Sequence, residues 1–430
     1  MRLFKDAEIA AAGSRRLTKA DVLVEGGRIS RVEETMAVPE GAEVIDCAGR
    51  ILLPGMFDAH VHLREPGRND KETIRTGTEA AINGGVTGLV AMPNTSPAID
   101  SGGLVRSVLD IARRTARIPV QVAGAITKGR EGKEMASIAG MVGAGVRMIT
   151  DDGSPVRNPQ MLRRAMEYAR EFGLLIASHC ETMELSGSGA MNEGRVSYKL
   201  GIPGIPAISE EICIERDIAI ARQTGCRLHI QHVTTARGME IIRRAKEDGV
   251  PVSCEVAPHH LIFNETDIGS YDSNYKMNPP LRTADDNAAL LQGLIDGVFD
   301  LIATDHAPHT AFEKHQQDFG NAPFGVTGLE TALPSLYQFF IKPGKFDWGV
   351  LVEHYSARPR ILLGLDPVEI AAGNAAELVL FDPAGQSVFT KEFMRSKASN
   401  TPFLNQPIDG QVELVVVGDE ILLSRQEGEH

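Results

Sequence analysis

The chain has 430 residues, 43% of them hydrophobic and 23% charged, and a formal net charge of −13. That is ample material for a core, and barrel enzymes run from about 200 to over 400 residues as one unit. The acidic balance leaves no basic stripe for nucleic acid or an anionic membrane.

The start, Met1-Arg-Leu-Phe-Lys-Asp6, has no apolar run of signal-peptide type. No stretch reaches the roughly 18 consecutive apolar residues of a membrane span, so a cytoplasmic location is expected. Cys47, Cys180, Cys213, Cys226 and Cys254 are an odd number without C-x-x-C spacing, which reads as reduced thiols. Residues 1–54 look β: Asp21-Val-Leu-Val-Glu25 and Arg28-Ile-Ser-Arg-Val32 flank Gly26-Gly27 as a hairpin. Pro54-Gly55 punctuates the chain, and from residue 55 to 366 short apolar strands alternate with longer helical stretches. The tail returns to β at Glu377-Leu-Val-Leu-Phe381 and Val412-Glu-Leu-Val-Val-Val417. The simplest arrangement joins 1–54 and 367–430 in one small β-sandwich domain beside a central domain of 55–366.

Eight strands are predicted in the central region, at 57–63, 88–92, 119–126, 147–152, 174–179, 227–233, 252–258 and 301–305. Helices are predicted between them, for example over 158–172 and 210–224, where apolar residues recur three and four apart. Eight strands alternating with helices point to a closed parallel α/β barrel, the (β/α)8 or TIM-barrel architecture. An open doubly wound sheet is the alternative, but it does not explain polar residues at so many strand ends. The first strand carries the pattern that organises the rest. Phe57, Ala59, Val61 and Leu63 alternate with Asp58, His60, His62 and Arg64, so a period of two places His60 and His62 on one face.

Other strand ends add Asp151-Asp152-Gly153, His179-Cys180-Glu181, Gln231-His232 and Thr304-Asp305-His306-Ala-Pro-His309. An isolated histidine is usually a hydrogen-bonded core residue, and Asp after a strand is usually a helix cap. Four histidines and two carboxylates at one end of a barrel instead suggest a metal centre. Imidazole with carboxylate suits zinc, with cobalt or manganese as substitutes.

The motifs Asp58-Ala-His-Val-His-Leu-Arg-Glu-Pro-Gly67, Met92-Pro-Asn-Thr95, Asp151-Asp-Gly153, His179-Cys-Glu181, Pro258-His-His260, Met277-Asn-Pro-Pro-Leu-Arg282, Thr304-Asp-His-Ala-Pro-His309 and Pro323-Phe-Gly325 together resemble the class I dihydroorotases of the amidohydrolase superfamily over nearly the whole chain. The resemblance implies a metal-bearing barrel with a small β domain, and a hydrolase that reversibly cyclises N-carbamoyl-L-aspartate to L-dihydroorotate in pyrimidine biosynthesis. It implies two zinc ions per chain, one on His60, His62 and Asp305 and one on His179 and His232, with Asp152 bridging. Asp305 is the implied catalytic proton carrier, and Asp151 a structural neighbour of Asp152. Substrate would meet His62, Arg64, Asn94, Asn278, His309, Phe324 and Gly325. An Arg grips a carboxylate with two parallel hydrogen bonds, and an Asn offers donor and acceptor to a ring edge alternating C=O and N–H. His259 and His260 read as supporting structure, Cys180 as packing on the opposite strand face, and Gly84-Gly85 as a helix stop.

Two rivals remain at this level. One is another cyclic amidase: a hydantoinase, dihydropyrimidinase or allantoinase. Those relatives usually bridge their metals with a carboxylated lysine on the fourth strand, where Arg147-Met-Ile-Thr-Asp-Asp152 offers none. The other is a non-catalytic scaffold, against which every ligand position is retained. The expected partner is a small-molecule substrate; the resemblance also admits a homodimer and association with aspartate carbamoyltransferase.

Overall fold

The computed structural model describes residues 1–425. The expected small domain was drawn to residue 430, and its last five residues, 426–430, lie outside the described part.

All eight central strands form: Met56–Val61, Val86–Ala91, Val120–Val122, Met148–Thr150, Leu175–Ser178, Arg227–Ile230, Val252–Val256 and Leu301–Ile302. They hydrogen-bond in parallel as a group of three and a group of five. Parallel bridges Gly124–Ile149 and Val61–His306 join the two groups at both edges, so the sheet closes into a (β/α)8 barrel. Helices Ile74–Asn83, Gly102–Thr115, Ile138–Val142, Pro159–Arg170, Ala207–Thr224, Ala236–Glu247 and Ala284–Ile295 follow successive strands.

Helix limits follow local chemistry. Asn158 caps Pro159–Arg170 by accepting from the backbone N–H of Gln160 and Met161, with Pro159 at the first turn, where its missing N–H costs nothing. This helix ends two residues before the expected 172, because Gly173 turns left-handed at φ 64°. The next predicted helix begins three residues early, at Ala207, behind Pro206, whose φ of −68° suits helix entry.

The first strand departs from simple alternation. A register shift between Asp58 and Val61 marks a bulge, and the extra residue moves the following side chains to the other face. Phe57 and Ala59 therefore join the apolar cluster with Val90, Met92, Ala123, Met148 and Leu175, while Val61 and Leu63 pack in the larger cluster with the helices. The expectation that all four share a face is corrected. His60 and His62 still lie two apart beyond the bulge, and both direct Nε2 at Asp152 and Asp305.

Strands from the two ends of the chain make one eight-stranded sheet, in which Ile51–Pro54 pairs with Glu377–Val388. Its two far ends meet, since Arg28 bridges Ala375 and the Gly27 N–H donates to Asp419. The sheet thus folds over Phe4, Val22, Ile29, Leu52, Leu378, Leu380 and Leu414 as a sandwich core. The alternate residues Ile51, Leu53, Val379, Phe381 and Val415 face the barrel's cluster, which is the period of two used on both faces. Between Glu377–Val388 and Pro407–Val417 the chain leaves the sheet and returns to the barrel. There the Asn400 amide donates to Ala307 O (3.1 Å) and Gly325 O (3.0 Å) and accepts from the His309 N–H (3.0 Å).

Candidate metal and substrate site

The C-terminal ends of the barrel strands surround a cavity of about 210 Å³ lined by His62, Arg64, Asn94, Asp152, Gly153, His179, His232, Asn278, Asp305, Ala307, His309, Phe324 and Gly325. Every residue singled out for metal or substrate lies in that lining except His60, which sits beneath it, fully buried. A larger hollow of about 530 Å³ lies outside, against helices Ala207–Thr224 and Ala236–Glu247. Its scattered Arg, Glu and aliphatic lining offers no convergent donors, so the smaller cavity holds the chemistry.

Asp152 is the hub. Its Oδ1 lies 3.5 Å from His60 Nε2, 3.6 Å from His179 Nδ1 and 3.7 Å from His232 Nε2, and its Oδ2 lies 3.4 Å from His62 Nε2. Asp305 Oδ1 is 2.9 Å from His62 Nε2 and 3.5 Å from His60 Nε2. One carboxylate thus faces all four imidazoles and the other faces two. Asp151, by contrast, is committed to the loop after the third strand, accepting from the N–H of Ile126 (2.8 Å) and Thr127 (3.1 Å) and from the Thr127 hydroxyl. His259 and His260 are buried and absent from the lining; His260 Nε2–H donates to Pro279 O (2.9 Å). Cys180 packs in the outer apolar cluster.

Three of the four imidazoles are turned by a partner on the far nitrogen, whereas His232 Nδ1 is buried without one. His60 Nδ1–H donates to Glu255 (2.6 Å), His62 Nδ1–H to the Asn94 carbonyl oxygen (2.8 Å) and His179 Nε2–H to Glu181 (3.2 Å). Such bonds fix the tautomer and leave the inward nitrogen free to ligate. Glu255 also holds His229 (3.0 Å), and Glu181 accepts from the Asn278 amide (2.9 Å). These two carboxylates were not assigned a role from sequence. A charged residue inside the buried strand Val252-Ser-Cys-Glu-Val256 was the available signal for Glu255.

The donors fit a metal. His60 Nε2 is buried without a hydrogen-bond partner, and His179 Nδ1 faces His232 Nε2 at 3.0 Å. Ligand atoms of His60, His62 and Asp305, and of His60, Asp152 and His232, lie within 4.8 Å of one another. Burial opposes charge at every group here; it prevails at His62, which is held below the usual histidine range, while ion pairing prevails at His60 and His179. Glu255, Asp152 and Asp305 raise His60 well above the usual histidine range, and Asp152 and Glu181 raise His179 to about 10. Burial acts to raise Asp152, but the surrounding imidazoles hold it well below the usual carboxylate range. A group of anions that draws protons onto His60 and His179 is a ready host for a divalent cation, which would displace them.

Backbone strain collects here as well. Of the seven non-glycine residues with positive φ among the described residues, Arg64 (60°), His232 (32°) and Asp305 (47°) line this cavity, as expected where side chains are aimed for function. Gly325 has φ 133°, and a Cβ there would lie 2.8 Å from the Ala307 Cβ and 3.1 Å from His309 Nε2. Only glycine fits that wall.

A closed barrel with His and Asp donors at its C-terminal mouth and a sandwich built from both termini defines a cyclic-amide hydrolase of the amidohydrolase superfamily. Among solved structures the fold matches the L-hydantoinase (dihydropyrimidinase) from Arthrobacter aurescens, with TM-score 0.87 and 23% identity, covering 100% of this chain and 97% of that one. It also matches the dihydropyrimidinase from Brevibacillus agri, with TM-score 0.84 and 24% identity over 99% and 95% of the two chains. Residues 49–238 match the family model described as dihydro-orotase-like. The dihydroorotase of a Thermoanaerobacter species is 42% identical over 94% of this chain and 93% of its own length. That of Staphylococcus epidermidis is 40% identical over 99% and 100%. The chain belongs to the dihydroorotase family.

Proposed function

We propose that the chain catalyses the reversible cyclisation of N-carbamoyl-L-aspartate to L-dihydroorotate, with two zinc ions as cofactors. The observation that carries this reading is the convergence of four histidines, two carboxylates and a guanidinium on one cavity in a chain 40–43% identical to dihydroorotases. On this reading His60, His62 and Asp305 would hold one metal and His179 and His232 the other, with Asp152, which faces all four imidazoles, available to both. When bound, such a pair polarises the reacting carbonyl and lowers the pKa of water.

The protein's own groups do the rest. Asp305 moves the proton, taking it from the attacking water and delivering it to the departing ring nitrogen on opening, and on closure taking it from the ureido nitrogen and giving it to the hydroxyl that leaves as water, a role typically contributing about 10²–10⁴-fold. Arg64 receives the substrate carboxylate. It makes no ion pair among the described residues, and its one side-chain hydrogen bond there runs from Nε to Pro308 O (3.3 Å), so its terminal amines remain for a ligand. Asn94 and His309 line the same wall, while Asn278 and the Phe324–Gly325 backbone meet the ring. The remaining assignments belong to the same proposal: a barrel of 55–366, a small domain of 1–54 with 367–430, a cytoplasmic location, a homodimer, and association with aspartate carbamoyltransferase.

Dihydroorotate, hydantoin and allantoin assayed side by side on zinc-loaded protein test the reading. Turnover of dihydroorotate should exceed the other two by orders of magnitude. Preference for hydantoin or allantoin would reassign the chain among cyclic amidases, and no turnover with full metal occupancy would favour a scaffold.

A further inference from the structure

Two buried lysines lie behind the substrate wall and have no part in the reaction described above. Lys314 is fully buried, and its ammonium donates to three backbone carbonyls, those of Lys276 (2.8 Å), Pro323 (2.9 Å) and Gly325 (2.8 Å). Lys276, also buried, donates to Phe319 O and Gly320 O (2.8 Å each) and lies 4.6 Å from the centre of the Phe324 ring. Neither makes an ion pair among the described residues. Burying an ammonium without a counter-ion is expensive, and a hydrocarbon of the same length would fill the space more cheaply.

What the charge supplies is a tetrahedral set of three donors at one point. Its acceptors bracket Phe324 on both sides and reach the segment leading to Asn278. The Gly325 N–H donates to Lys276 O (2.9 Å), and His309 Nε2–H to Phe324 O (2.8 Å). The carbonyls of Lys276, Pro323 and Gly325 therefore converge on Lys314 behind the wall, Asn400 also donating to Gly325 O, while His309 holds Phe324 O from the cavity side, and together they fix the Phe324–Gly325 backbone in the lining. We propose that Lys314, seconded by Lys276, is a positioning residue for substrate recognition, its ammonium holding the Phe324–Gly325 backbone in the cavity wall.

The inference rests on the dihydroorotase reading for its substrate but not for its geometry. Burial, then the charge of Lys276, pushes Lys314 down to about 7, with Asp272 opposing; His309 and His315 also feel its charge. Deprotonation removes one of three donors, so the wall should loosen as pH rises.

The test uses the zinc-loaded full chain and Lys314→Met. Zinc content should be unchanged, amide exchange over residues 316–326 should quicken about tenfold, and KM for dihydroorotate should rise about tenfold while kcat changes less than about threefold. Unchanged exchange and KM, or a fall in kcat tracking zinc loss, would overturn the assignment. Should Lys314→Met not fold, the unaltered protein decides. Exchange over 316–326, corrected for its intrinsic rate, should quicken between pH 6 and 9 relative to the barrel strands, and a flat profile overturns the proposal. Failure of the unaltered protein to turn over dihydroorotate would count against the substrate reading alone, because the exchange measurement needs no substrate.

Discussion

At the scale of single residues, Arg64 carries the most specific expectation. Burial pushes its guanidinium down to about 10, a cost that a bound carboxylate would offset. Arg64→Met keeps much of the length and removes the fork of donors. In a partly dry pocket this should cost roughly 2–5 kcal/mol in kcat/KM for dihydroorotate and less for a ring lacking the carboxylate; equal losses would make Arg64 structural. Glu255 acts one step further back. It orients His60 and supports His229, and its replacement by Gln keeps the shape while removing the charge that sets the His60 tautomer. Metal affinity in Glu255→Gln should fall about 10–100-fold, measured by competition with a chelator. Unchanged affinity would show that the strand alone orients His60.

Among elements, the fourth strand decides between neighbouring chemistries. Met148–Thr150 ends in Asp151-Asp152, and the two acids part company because backbone N–H groups of the preceding loop capture Asp151. Asp152 is left facing four imidazoles, and on the proposed reading it would supply its carboxylate directly, without the carbon dioxide that a carboxylated lysine must take up. Reconstituting metal-free protein with zinc should therefore need no bicarbonate. Asp152→Asn should lose one metal preferentially, since a neutral oxygen is a poor bridge between two dications, while His60, His62 and Asp305 remain to hold the other. Bicarbonate activation, or full occupancy in Asp152→Asn, would place the bridge elsewhere. This strand was legible in the sequence because apolar runs ending in charge announce a barrel rim. The first strand was legible only in part: a bulge shifts side chains between faces without changing composition, so Phe57 and Ala59 read as partners of Val61. Glu255 and Lys314 were missed for a related reason. Their meaning lies in partners nearly 200 residues away, or in backbone carbonyls that no side-chain pattern reports.

For the whole molecule, barrel and sandwich share an apolar cluster and are tied by several hydrogen bonds. Ser396 and Lys397 bond Glu72 from the returning tail, and Arg360 links Gly55 O (3.0 Å) to Glu377 (2.7 Å). Within the barrel, His354 Nδ1–H donates to Asp300 O (3.1 Å). Burial first, and then Arg358, pushes His354 down to about 4. An unfolded histidine takes up its proton near 6.5, so between that pH and 4 the unfolded chain binds more protons, and stability present above pH 6.5 is lost as pH falls. At pH 4.5 this site alone should cost on the order of 2–3 kcal/mol. His354→Gln keeps an amide donor but cannot titrate. Its unfolding midpoint relative to the unaltered protein should therefore improve steadily from pH 7 to 4.5, measured on metal-free samples so that zinc release does not contribute. A difference that stays constant with pH would mean that His354 titrates alike in both states, and that acid lability enters through other buried histidines held low, among them His259, His260 and His309.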